Sequence, residues 1–152
     1  MKTYQFNKGA YQISTDKSLL DFEVIHNFLK TSYWSENIPM EIVRSAAQHS
    51  LAFGIYLENH QVGYARIISD FTTFAYLADV FVLESERNKG LSKWLMECIM
   101  SIPELQGLRR WSLATRDAHG LYAQFGFSPL KTPESFMEIA WPDIYKNNTD
   151  AN

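Results

Sequence analysis

One cysteine, Cys98, is all that the 152-residue sequence contains. Neither an intrachain disulfide nor a cysteine-rich metal site can be built from it. Basic excess is missing too: 14 Lys and Arg stand against 17 Asp and Glu, a formal net charge of -3. The longest basic cluster is the pair Arg109-Arg110. That is too short to follow a phosphate backbone, so no nucleic-acid partner is expected. The histidines His26, His49, His60 and His119 are scattered without metal-ligand spacing, and no metal is expected. No apolar run approaches the roughly 18 residues of a membrane span. The start of the chain also lacks the apolar core of a signal peptide. No membrane partner and a cytoplasmic location follow as expectations. G-x-G-x-x-G and G-K-[ST] are both absent, which excludes the Rossmann fingerprint and the Walker A loop.

Apolar and aromatic mass is plentiful, at 46% and 14%. That suffices for a core at the size of one domain. We expect a single domain over 1–145 and a polar tail over 146–152. Tyr11 to Ser14 reads as a short strand. Ser18 offers a helix cap, and Phe22, Ile25, Phe28 and Leu29 recur at helical spacing. Pro39 suits the first turn of a second helix with Val43 and Ala47 on one face. Residues 51–57 and 62–68 alternate as a hairpin, and 74–83 is a long apolar run suited to a central strand. A helix opens at Gly90, carries Leu91, Leu95, Cys98 and Ile99 on its apolar stripe, and stops before Pro103. A strand over 110–115 follows, then a short helix with Ala118, Leu121, Tyr122 and Phe125, closed by Gly126. Residues 136–141 read as a last strand. The sum is an α/β fold with a mixed sheet.

The strand–loop–helix unit over 74–102 carries the chemistry. A helix N-terminus has unpaired N–H groups and a partial positive charge. Gly90 allows close backbone approach, and Arg87 and Lys89 add full charges, making an anion site suited to a pyrophosphate. On these residues alone, a solvated loop before an ordinary helix remains the alternative.

The run Asp79-Val80-Phe81-Val82, continued by Arg87-Asn88-Lys89-Gly90-Leu91-Ser92, resembles motif A of the GNAT superfamily of N-acetyltransferases. That motif reads Q/R-x-x-G-x-G/A after a β-strand. Downstream, Ala118-His119-Gly120-Leu121-Tyr122-Ala123-Gln124-Phe125-Gly126-Phe127 is similar to the A-x-x-L-Y-x-x-x-G-F helix of the same superfamily. Two motifs in the right order make the resemblance specific. It implies a mostly antiparallel mixed sheet flanked by helices on both faces. It also implies an acetyltransferase that takes acetyl-CoA as acyl donor and a small-molecule or peptide amine as acceptor, by direct attack. Ser92 departs from the usual Gly or Ala, and Thr115 stands where many members carry Asn.

By the same resemblance, Val80, Phe81, Val82, Arg87, Asn88, Lys89, Gly90, Leu91, Ser92 and Thr115 would contact the donor. Tyr122 would be the general acid at the departing sulfur. Asp79 is the first candidate for the base, through a water, with His119 and Glu36 next, or water alone. Tyr33, Trp34, Glu36 and His119 would face the acceptor, and Phe71, Phe74 and Tyr76 add aromatic surface. Cys98, on the apolar stripe, is expected to be inert. A catalytically silent acyl-CoA-binding or interaction module with the same fold is the alternative, and a homodimer is an open assembly.

Overall fold

The computed structural model describes residues 1–148. Strands β1 (Gln5–Lys8) and β2 (Tyr11–Ser14) form a hairpin in which Lys8 faces Tyr11. Gly9 supplies the positive φ of 59° that so tight a turn requires. The sequence reading did not foresee β1, whose four residues are mostly exposed. Helices α1 (Phe22–Leu29) and α2 (Met40–Gln48) follow. The cap of α1 is Asp21, which accepts from the N–H groups of Glu23 and Val24. This corrects the expectation for Ser18, which sits in a separate 3-10 turn capped by Asp16.

Strands β3 (Leu51–Leu57), β4 (His60–Ser69) and β5 (Phe74–Val82) form an antiparallel meander. Helix α3 (Leu91–Met100) crosses to β6 (Arg110–Ser112), which pairs with β5 in parallel, and α4 (His119–Ala123) follows. The six strands form one sheet in chain order. All neighbours are antiparallel except β5 and β6. The expected fold class holds, although β6 stops at Ser112 rather than Thr115. Among the described residues no helix is long and apolar enough to cross a membrane.

Each face of the sheet has its own core. Phe53, Ile55, Ala65, Ile67, Ala75 and Leu77 pack with Leu91, Leu95 and Ile99 of α3. Ala52, Tyr64 and Phe81 pack with Ile25, Leu29 and Val43 of α1 and α2. Strand alternation explains most of this, but β5 changes parity along its length. Ala75 and Leu77 face α3, whereas Phe81 faces α1 and Val82 faces α3. The change occurs at a β-bulge: Tyr64 pairs with Phe81 and Arg66 with Ala78, so Asp79 and Val80 lie opposite Ala65 alone. Asp79 absorbs the extra residue at φ 57°.

The strand expected over 136–141 does not form. The sheet ends at β6, and this segment joins no ladder among the described residues. Its apolar alternation satisfies one requirement of a strand, but a strand also needs a neighbour for its backbone. The end of the chain is not wholly detached: Tyr145, the last residue of the expected domain, packs on the α1–α2 core, and the Asn148 side chain of the expected tail donates to the Asn37 carbonyl at 2.8 Å. Residues 149–152 of the expected tail lie outside the described residues.

Candidate active site

The bulge bends β5 away from β6. The two strands pair only from Phe74 to Tyr76 against Arg110 to Ser112. Beyond that point they splay, and a cleft of about 1280 Å³ opens between them. The ladder on the other side of β5 fixes which backbone groups face it. The Leu83 N–H donates to the Val62 carbonyl at 2.8 Å, and Val82 lies opposite Gly63. Val82 is therefore a non-hydrogen-bonded pair of the antiparallel ladder, and its own N–H and C=O point away from β4, into the splay. By alternation, Val80 points the same way, while Phe81 is committed to Tyr64.

The exposed edge runs into an anion-friendly turn. Asn88 and Gly90 both have left-handed backbones, at φ 64° and 77°, and Gly90 caps α3. Among the described residues, the N–H groups of Leu91, Ser92 and Lys93 meet no carbonyl, because the first turn closes with Trp94 on Gly90. A Cβ on Gly90 would meet nothing within 4 Å. Glycine there answers a conformational need and leaves open space at the helix mouth. Arg87 and Ser92 line the cleft, and the Arg87 Nε–H donates to the Val82 carbonyl at 3.1 Å.

Lys89 does not add its charge to this turn as directly as the sequence suggests. Its Nζ lies 3.0 Å from Glu86, a buried carboxylate that also accepts from the Tyr11 hydroxyl at 2.7 Å. The Tyr11 hydroxyl and then the Lys89 ammonium hold the Glu86 carboxyl below its ordinary range. Lys89 therefore braces the loop against β2.

Tyr122 lines the opposite wall. It is 8% exposed, and Phe127 packs edge-on at 6.0 Å. Its hydroxyl makes no hydrogen bond among the described residues. Burial, then the nearby Tyr33 and Asp117, pushes its pKa up to about 12, so it keeps its proton across the physiological range. Thr115 also lines the cleft, and its Oγ1 accepts from the Ala118 N–H at 3.1 Å, holding the turn into α4.

Asp79 lies in the cleft with both oxygens engaged. Arg66 Nε–H donates to Oδ2 at 2.5 Å, and Trp34 Nε1–H donates to Oδ1 at 2.9 Å. Trp34 belongs to the α1–α2 loop; its ring packs between Tyr33 of the same loop and Phe28 of α1, and Phe28 stacks on Phe81 at 4.1 Å. The Tyr33 hydroxyl accepts from the Arg116 N–H at 3.1 Å, and the Arg116 guanidinium lies 3.9 Å from the Tyr33 ring centroid. This clasp ties the α1–α2 loop to the loop before α4.

Of the residues singled out in the sequence, Asp79, Val80, Phe81, Val82, Arg87, Ser92, Thr115, Tyr122, Tyr33, Trp34, Glu36 and Tyr76 all line this one cleft. His119 is exposed outside its wall, as are Asn88, Lys89 and Gly90. Leu91 is buried among core residues. Phe71 and Phe74 lie elsewhere. Arg66 and Arg116 were missed. Arg66 had a signal, a lone charge inside the apolar run of β4, which needs a buried counter-charge. Arg116 had none. Cys98 is buried in the α3 core, where burial pushes its thiol up to about 11.

The profile of the family described as Acetyltransferase (GNAT) matches residues 21–127. That span holds the whole cleft and both motifs. The chain belongs to the GNAT family. A candidate acetyltransferase of the GNAT family from Xanthomonas campestris has a crystal structure that superposes on this GNAT chain with a TM-score of 0.88. It is 51% identical and covers 90% of this chain and 97% of its own. A candidate acetyltransferase of Gibberella zeae is 29% identical over an alignment of 146 residues, covering 81% of each chain. The fold also matches the structure of a candidate acetyltransferase from Clostridium acetobutylicum solved with acetyl-CoA. There the TM-score is 0.60, the identity 11%, and the coverage 91% of this chain and 95% of the other.

Proposed function

We propose that the protein is an N-acetyltransferase that uses acetyl-CoA and attacks it directly with an amine. The observation that carries this reading is one continuous donor track. The splayed edge of β5 at Val80 and Val82, where the Val82 carbonyl accepts from Arg87, leads into the unpaired N–H groups at the start of α3, and Tyr122 stands across from it in the same cleft. A backbone edge suits an amide-bearing arm, and an N–H cluster beside Arg87 suits a pyrophosphate. Bound there, acetyl-CoA supplies an activated thioester carbonyl.

The roles of the chain's own groups follow. Leu91, Ser92 and Lys93 N–H groups and the Arg87 guanidinium hold phosphate charge. Val82 N–H is the donor available to an oxygen on which negative charge develops. Tyr122, kept protonated by its burial, donates towards the leaving sulfur. The acceptor arrives as an alkylammonium that titrates near ~10 and must first lose a proton. Asp79, held in place by Arg66 and Trp34, receives it through a water. Tyr33, Trp34 and Tyr76 wall the acceptor space, and Glu36 offers it a carboxylate suited to an amine.

A thiol-release assay with acetyl-CoA against amines, amino acids and peptides tests the reading. Turnover with an amine and formation of an amide are expected. Cofactor binding without turnover across the panel would leave a silent acyl-CoA-binding module. No binding would remove the donor site.

A further inference from the structure

We propose that residues 136–141 are an exchange arm, which adds as a strand to the free edge of β6 in a second copy of this chain while receiving that copy's arm on its own β6. The arm is the most exposed apolar stretch of the molecule. Met137 is 97% exposed, Ile139 80%, Trp141 68% and Ile144 66%. Single exposed apolar residues need no explanation, but a contiguous run does. The backbone is equally unserved. Among the described residues, no N–H from Met137 to Asp143 reaches a carbonyl, although Phe136 and Ile144 on either side do. Pro142 bounds the run.

The receiving edge lies in the same chain. Strand β6 pairs only with β5 among the described residues, and half-buried Trp111 and Leu113 stand at that end of the sheet. An unpaired edge is a template for another strand. Charge is complementary: Arg109 and Arg110 mark the edge, and Glu134, Glu138 and Asp143 mark the arm and its flanks.

Both ends of the arm are held within its own chain, and the run between them joins no ladder among the described residues. Phe136 lies under the Arg110 guanidinium, at 5.0 Å. Tyr145 packs on the α1–α2 core, and Asn148 donates to the Asn37 carbonyl. The run between these anchors faces outwards. A twofold axis brings arm to edge and edge to arm at once, which closes the assembly. An extended residue exposes roughly 160 Å² by chain scaling, so covering half of a six-residue arm buries about 500 Å² on the arm alone, and each copy adds the strip of β6 edge that the partner's arm covers. A standard stable interface buries about 800 Å² per partner. The edge continues into Leu113 and Thr115 of the cleft wall, so the exchanged strand also backs that wall.

Light scattering during gel filtration of the full chain at about 100 μM should give twice the 17.6 kDa chain mass. Ile139→Asp with Trp141→Asp should give the single-chain mass with unchanged far-UV circular dichroism, because both side chains lie outside the core. Hydrogen exchange supplies the second readout: amides 137–141 and 111–113 should be protected at least tenfold in the wild type and lose protection together in the double variant. A wild-type monomer overturns the proposal, whether its arm amides exchange fast or are protected by closure onto its own sheet. A dimer that survives the double variant, or one whose arm amides exchange freely, assigns the interface elsewhere and overturns it too. None of these readouts depends on acetyl-CoA, so the result stands apart from the proposed activity.

Discussion

The two halves of the cleft are built from different material. The donor half is backbone: the splayed edge at Val80 and Val82 and the first N–H groups of α3. The acceptor half is side chain: Tyr33, Trp34, Glu36 and Asp79, held by a clasp to Arg116 and an ion pair to Arg66. A backbone site constrains sequence only where a side chain would obstruct it or a φ value demands glycine. It therefore tolerates change everywhere except at a few fixed points, and those points form a motif. A side-chain site can be rebuilt with each acceptor and leaves no fixed pattern.

The comparison breaks most completely at Gly90. Gly90→Glu should abolish the thermal shift that acetyl-CoA gives the wild type, a shift worth about 2.7 kcal/mol at a hundredfold excess over Kd. Gly90→Ala is the control. The left-handed backbone, φ 77°, costs either variant about 1–2 kcal/mol, but the alanine Cβ meets nothing within 4 Å. Alanine should lower the melting temperature and keep the ligand shift, whereas glutamate should lose both. Equal ligand shifts in the two variants would separate the phosphate site from α3.

Tyr122 faces the donor half from the opposite wall, and its effect should be next in size. Tyr122→Phe should reduce kcat by roughly 10²-fold with acetyl-CoA affinity nearly unchanged. Tyr122→Ala should also destabilise the fold, by about 3–5 kcal/mol. Because the folded pKa is raised to about 12, the neutral hydroxyl is favoured by folding. That contribution is complete below the ordinary value near ~10 and lost as pH rises through the folded one. Activity should therefore show no basic decline below pH ~10 on account of Tyr122. A Tyr122→Phe enzyme at wild-type rate would reduce the residue to packing.

Trp34→Phe tests the acceptor half. It keeps an aromatic wall but removes the Nε1–H that holds Asp79. Loss of one hydrogen bond to a charged group should raise the acceptor KM about tenfold, equivalent to about 1.4 kcal/mol, with donor affinity unchanged. A donor affinity that falls in parallel would show that the two halves are not separable.

The same division explains what was legible in the sequence. The strand–loop–helix around Gly90 and the helix of Tyr122 could be read because backbone geometry fixes their glycines and their apolar spacing. The β-bulge could not. Asp79 looks like any polar residue in a strand, and only the ladder reveals that it inverts the parity of β5. Lys89 was read by charge and proximity, but its partner Glu86 and the Tyr11 behind it meet only in three dimensions. The segment over 136–141 has the apolar pattern of a strand, and pattern does not say which edge receives it.

The smallest effect is expected at Arg87, where both kinds of material meet. Its guanidinium carries charge at the mouth of α3, while its Nε–H donates to the Val82 carbonyl, on the same edge as the Val82 N–H. Arg87→Ala removes charge and brace together, and Arg87→Lys removes only the brace. If charge dominates, alanine should weaken acetyl-CoA binding a few-fold at 0.1 M salt and hardly at all at 1 M. The screening length falls between those conditions from about 10 Å to about 3 Å. Lysine should then bind like the wild type at both. If the brace dominates, both variants should lower kcat alike and neither loss should respond to salt. Because Arg87 is exposed and the Val82 edge is fixed independently by β4, we expect the first pattern. A salt-independent loss shared by alanine and lysine would make Arg87 a structural support of the edge rather than part of the phosphate site.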